Sequence, residues 1–197
     1  MASTTESQGR KAEICRAAER LFRERGFHAT SVRDIAETVG LQGGSLYSHV
    51  ESKDDLLWDI VNQSADRFFA ALRPIVASQK EIIRTLGDAI VAHVGVLTDD
   101  LDAAAVYTTE WRHLSAERRA AVAQRRSEYE QLFRTLVRQG IREGVLSPVD
   151  ETYATLFILS TLNYLYLWFR PGGRMTSDEV ARMLADFIFD GLRRRTT

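Results

Sequence analysis

Three glycines within five positions, Gly40, Gly43 and Gly44 in the run IAETVGLQGGSLYSHV (35–50), constrain this chain more than any other feature. An interior glycine costs a helix about 1 kcal/mol relative to alanine. A segment that sets three of them between two short apolar periods therefore has to turn a corner. Upstream, Ile14, Ala17, Ala18, Leu21 and Phe22 recur at spacings of three and four over 10–25, with Gly26 as a C-terminal stop. Thr30 and Ser31 offer an N-cap for a second helix over 32–39, with Asp34 in the place of a capping box. Gly40 ends that helix, and a third over 44–50 begins after a turn of three or four residues. Helix, tight glycine-containing turn, helix is the helix-turn-helix pattern. Ile35, Ala36, Val39, Leu41, Leu46 and Val50 supply its small shared core.

Ser52 then caps a longer fourth helix running from Lys53 to about 73, with Asp54 and Asp55 in the first turn, where the helix dipole favours anions. Lys53 is the exception there, a cation in a first turn that is either a neutral surface choice or aimed at an external anion such as phosphate. Further helices are expected over 79–97, 101–113, 116–143, 151–169 and 177–194, with breaks at 144–148 and 171–173. Prolines occur only at 74, 148 and 171, and strand-like alternation is scarce, so the fold class is all-α. The expected organisation is a helix-turn-helix domain over 1–53 and a larger helical domain over 54–197.

Composition excludes more than it assigns. A net charge of −1 gives no whole-chain signature for nucleic acid, and residues 1–53 carry eight Lys or Arg against seven Asp or Glu, so a DNA surface must be local. Cys15, the lone cysteine, can make neither an internal disulfide nor a cysteine-rich metal site and reads as a small buried hydrophobe. No phosphate loop, dinucleotide fingerprint, nucleophile elbow or metal-spaced cluster appears, so neither catalytic residues nor a metal is expected and the chain does not read as an enzyme. The N-terminal residues have no apolar stretch, and the apolar run 156–169 is too short to span a bilayer. A cytoplasmic location is expected, with 1–9 as a flexible tail.

With Leu46 and Val50 facing inward, Gln42, Ser45, Tyr47, Ser48 and His49 lie on or near the outer side of the third helix. Together with Thr30, Arg33 and Lys53 they form a set suited to phosphate oxygens and base edges. The run TSVRDIAETVGLQGGSLYSHVESKDDLL, within a match over 10–57, resembles the DNA-binding domain of the TetR family of bacterial one-component repressors. That resemblance implies phosphate contacts from Thr30, Tyr47, His49 and Lys53. It places Arg33, Gln42, Gly43 and Ser45 at or beside the major-groove edge, with Leu46 in the core. Gly43 stands where the family often has lysine, and Val50 where it usually has phenylalanine.

A reading head of about fifty residues leaves 140 more to dimerise it and to sense something. The segment 153–169 is apolar on nearly every face, which suits burial between subunits. The last helix, with Val180, Met183, Leu184, Phe187, Ile188 and Leu192 at helical spacing, is its natural companion in a homodimer. The terminal Arg193, Arg194 and Arg195 complement that helix's C-terminus.

Aromatic walls for a hydrophobic ligand come from Tyr107, Trp111, Tyr129, Phe133, Phe157, Tyr164 and Trp168, with Asn163 among the polar groups able to orient it. His113 reads as structural. The segment EWRHLSAERRAAVAQRRSEYEQLF, taken with LYLWFRPGGR, resembles the C-terminal domain of TetR-family members that control fatty-acid, sterol or related acyl degradation and respond to acyl-CoA. No cofactor is expected, only an effector such as acyl-CoA, with Arg112, Arg118, Arg119, Arg126 and Arg170 available for its phosphates. A multidrug-type sensor holding a cation on Glu110 is the alternative within the family, and a helical enzyme the alternative outside it.

Overall fold

Two left-handed glycines shape the amino-terminal third: Gly26 at φ 83° and Gly40 at φ 68° end the first two helices in a conformation that costs side-chain-bearing residues strain. A computed structural model of the chain describes residues 2–41, 43–78 and 80–192. The helices are α1 (Ala2–Arg25), α2 (Val32–Thr38), α3 (Gly43–Leu46), α4 (Lys53–Val76), α5 (Ile82–Asp99), α6 (Leu101–Thr109), α7 (Ala116–Arg142), α8 (Glu151–Asn163), α9 (Leu165–Trp168) and α10 (Ser177–Leu192), with a 3-10 turn at Glu110–His113 after α6. No strand occurs among the described residues, and no helix there is long and apolar enough to cross a membrane.

The chain packs as two compact units, one of residues 1–65 with 101–123, the other of 66–100 with 124–197. This is a different division from the expected boundary at 53. The stretch 101–123 returns to pack with the amino-terminal helices, a long-range association that no local pattern announces. Helices α4 and α7 each begin in the first unit and end in the second.

In the first unit, Ile14, Ala18, Phe22, Ile35, Leu46, Leu56, Leu57 and Ile60 are fully buried. At the start of α2 the Asp34 N–H donates to Ser31 Oγ at 3.1 Å, while the Ser31 N–H donates to Asp34 Oδ2 at 2.7 Å, completing the capping box. Ser52 accepts from the Asp55 N–H at 3.0 Å in the first turn of α4. Helix α6 lies along α1, and Arg23 pairs with Asp102 between them. Helix α3 is shorter than the expected 44–50: beyond Leu46 the chain tightens into a turn, with the His49 N–H donating to Leu46 O and Ser48 Oγ to Ser45 O. Helix α1 reaches back to Ala2, through the stretch expected to be a flexible tail.

The second unit is built around α5, against which α10, α8 and α9 pack. Leu72, Leu86, Ile90, Val94, Leu97, Phe133, Val137, Leu162 and Leu165 form its buried interior. The helix expected over 151–169 ends at Asn163, a weak helix former, and resumes as α9 after Tyr164. The terminal arginines 193–195 lie outside the described residues.

Candidate DNA-reading head and effector site

The corner presents an outward face on the first unit. Arg33 and Ser45 are exposed, Tyr47 is 57% exposed, and His49 is half-buried, while Leu46 and Val50 beneath them are buried as expected. Arg33 Nε donates to Glu37 Oε1 at 2.9 Å, an exposed i,i+4 pair that an incoming phosphate or base edge can displace at little cost. Gln42 lies outside the described residues, and Gly43 opens α3.

Two members of the expected phosphate set point elsewhere. Thr30 is buried, and its hydroxyl donates to Gly26 O at 2.9 Å and Leu21 O at 3.2 Å, closing the end of α1. Lys53 Nζ donates to Phe27 O and Thr30 O, each at 2.7 Å, and sits 4.3 Å from the centre of the Phe27 ring. Desolvation lowers its pKa. Lys53 therefore ties the start of α4 to the α1–α2 loop, and two of its three protons are occupied within the protein. In the DNA-free chain these contacts give Lys53 a structural role.

The returning segment holds the same loop from the other side. The Phe27 N–H donates to Glu110 Oε2 at 2.8 Å, His28 Nε2 and His113 Nδ1 are 2.9 Å apart, and the Phe27 and His113 rings stack. Glu110 is thus engaged with backbone, which removes the carboxylate that a cationic ligand would have used. Arg118, expected at an effector's phosphates, donates to both Asp54 and Asp55 and lies over Trp58. These two carboxylates raise its pKa, Asp55 foremost. In this ligand-free chain Arg118 clasps the first turn of α4. Tyr107 is buried and Trp111 half-buried in this unit, and Arg112 and Arg119 are exposed.

Of the expected effector residues, the second unit brings Tyr129, Phe133 and Asn163 together, with Arg126 nearby. They surround a residue that sequence reasoning passed over: His93, 3% exposed on α5. His93 Nδ1 lies 3.0 Å from Tyr129 Oη, and Phe68 packs on its ring at 4.9 Å. A single histidine in an apolar helix carries no sequence signal separating core from site, which is why it was missed. Phe157, Tyr164 and Trp168 are 69%, 59% and 48% exposed, and Arg170 is exposed as well, so this unit does not gather them around His93.

Residues 14–60 match the model of bacterial regulatory proteins of the tetR family, and residues 80–192 match that of the tetracyclin repressor-like C-terminal domain. The chain belongs to the TetR family, and is a DNA-binding transcriptional repressor rather than an enzyme. It is 34% identical over 191 residues to the HTH-type transcriptional repressor KstR2 of Rhodococcus jostii, covering 96% of this chain and 94% of that one. The structure of the ketosteroid transcriptional regulator KstR2 of Mycobacterium tuberculosis superposes with a TM-score of 0.89 at 29% identity, covering 94% of this chain and 96% of that chain. AibR in complex with isovaleryl coenzyme A and operator DNA superposes with a TM-score of 0.82 at 26% identity, over 91% and 98% of the two chains.

The placement of Lys53 has a measurable consequence. Each phosphate neutralised by a protein cation steepens the fall of log affinity with log salt by about 0.9. Lys53→Met is expected to lower thermal stability and operator affinity while leaving the salt slope of the wild type intact. Arg33→Ala is expected to leave stability intact, and a shallower slope for Lys53→Met would restore that residue to the phosphate contacts.

Proposed function

We propose that this chain is a homodimeric repressor of genes for sterol-type or related acyl degradation, and that an acyl-CoA releases it from its operator. The observation that carries the reading is near-full-length similarity to the repressor KstR2, a ketosteroid transcriptional regulator in Mycobacterium tuberculosis, joined by similarity to AibR, solved with isovaleryl coenzyme A and operator DNA together. The apolar interior around Phe68, Tyr129 and Phe133 in the second unit suits the acyl part of such a ligand. The multidrug reading needed Glu110 for a cation, and that carboxylate is held by the Phe27 N–H.

The DNA contacts proposed here are Arg33, Gln42, Gly43, Ser45, Tyr47 and His49. Two heads reading successive major grooves need half-sites about 34–36 Å apart, so an effector acts by favouring a conformer with another spacing. Helices α4 and α7, each shared by the two units, are the proposed route from effector to head. Thermal unfolding with CoA, free acids and their CoA thioesters tests the effector class. The thioesters are expected to raise Tm by several degrees where CoA and the acids alone do not, and equal shifts from CoA and thioesters would overturn the acyl part of the proposal.

A further inference from the structure

A neutral imidazole has one N–H and one lone pair, and when buried both need partners. Tyr129 meets Nδ1 of His93 at 3.0 Å, but Nε2, with no solvent access, makes no hydrogen bond. The Asn163 amide on α8 is close enough to act on the ring, yet it does not complete a bond of normal geometry to Nε2. The rings of Phe68, Tyr129 and Phe133 lie 4.9, 5.7 and 6.0 Å from the imidazole. All of these residues belong to the second unit.

We infer that His93 Nε2, with Asn163 beside it, is the polar anchor of the effector site, and that it recognises an uncharged oxygen, keto or hydroxyl, on the apolar body of the ligand. Burial holds the ring neutral, and the Arg126 charge also opposes protonation, with the Asn163 amide acting the other way. A neutral nitrogen among aromatic rings suits a neutral oxygen, whereas a carboxylate there would lose its water without gaining a counter-charge from His93. A hydroxyl serves either tautomer, since it both donates and accepts. A keto oxygen needs the tautomer in which Tyr129 donates to Nδ1 and Nε2 carries the proton. A plain aliphatic chain would leave Nε2 without a partner, and sites built around a polar group discriminate strongly against ligands lacking it. The inference rests on the acyl-CoA reading only for the part of the ligand beyond the apolar body.

The test is calorimetric titration of the full chain with paired probes: 5β-cholanoyl-CoA, which has no ring oxygen, against its 3-hydroxy and 3-oxo counterparts, and androstane against its 3-oxo derivative without CoA. The oxygenated member of a pair is expected to bind about tenfold or more tightly to the wild type. His93→Phe, which keeps an aromatic ring against Phe68, is expected to erase that difference while preserving affinity for the deoxygenated member. Tyr129→Phe, should His93→Phe not fold, is expected to reduce the preference for the keto member more than for the hydroxyl. In parallel, the Nε2 signal of ¹⁵N-labelled His93 is expected to shift with oxygenated probes only. Equal affinities within every pair, an equal loss for both members in His93→Phe, or an unmoved Nε2 signal would overturn the inference and leave that nitrogen to a water. Discrimination among the CoA-free steroids with no binding of any thioester would sustain the His93 inference and overturn the acyl-CoA reading. No binding by any probe would overturn both.

Discussion

Phe157→Glu combined with Phe187→Glu is expected to convert a dimer to a monomer and to abolish operator binding at concentrations where the wild type saturates. One protomer leaves Tyr153, Leu156, Phe157 and Tyr164 exposed at the outer positions of α8 and just past its end, Leu167 and Trp168 on α9, and Met183 and Phe187 on α10. Phe157 and Phe187 are 69% and 75% exposed. So many exposed large apolar side chains on α8, α9 and α10 are uncommon on proteins that work as monomers, and these elements are those that sequence patterning assigned to dimerisation. In a two-fold interface each substitution acts twice. Burying a phenylalanine contributes about 1.5–3 kcal/mol, so losing four should weaken the dimer by at least about a thousandfold, before the cost of burying glutamates. Sedimentation velocity measures this directly. A double variant that remains dimeric would place the interface elsewhere.

Acidification from pH 6.5 to 5.5 is expected to destabilise the protein by about 1 kcal/mol through His93 alone, an effect His93→Phe should remove. Burial pushes this imidazole's pKa down from 6.5 to about 3. Well above pH 6.5 the group is neutral in both folded and unfolded chains and its titration contributes no slope. Below 6.5 the unfolded chain takes up a proton that the folded chain refuses until about pH 3, so the stability present at neutral pH is lost as pH falls. The limiting slope is about 1.4 kcal/mol per pH unit. Arg126 adds to the resistance to protonation and Asn163 opposes it. The window between 6.5 and 5.5 lies above the ordinary range of the carboxylates, so comparing urea unfolding of wild type and His93→Phe isolates the histidine. Parallel pH profiles would mean that His93 titrates normally in the folded protein.

The reading head was legible because its determinants are local. Gly26 and Gly40 end helices by their own backbone conformation, Ser31 and Asp34 are three residues apart, and Leu46 and Val50 are one turn apart. Side chains whose partners are distant in sequence could not be read that way. Lys53 read as plain surface or as a cation awaiting phosphate because its first-turn position opposes the helix dipole, whereas the acceptors of its protons, Phe27 O and Thr30 O, lie 26 and 23 residues upstream. Glu110 finds the Phe27 N–H across 83 positions, and Arg118 finds Asp54 across 64. The aromatic residues of 153–169 were divided between ligand and dimer on composition alone. Burial separates them: Leu159 and Leu162 face inward, whereas Phe157, Tyr164 and Trp168 face out toward the proposed partner.

The most direct test of the proposed function is an equilibrium anisotropy titration of labelled DNA from upstream of the chain's own gene with the purified protein, in the absence and presence of saturating acyl-CoA at fixed salt. An effector that discriminates between conformers must change operator affinity, because equal affinity for both shifts nothing. The expected result is specific binding without ligand and at least a tenfold loss of affinity with an acyl-CoA, absent with CoA alone. Operator affinity that is the same with and without every acyl-CoA would contradict an acyl-CoA-released repressor.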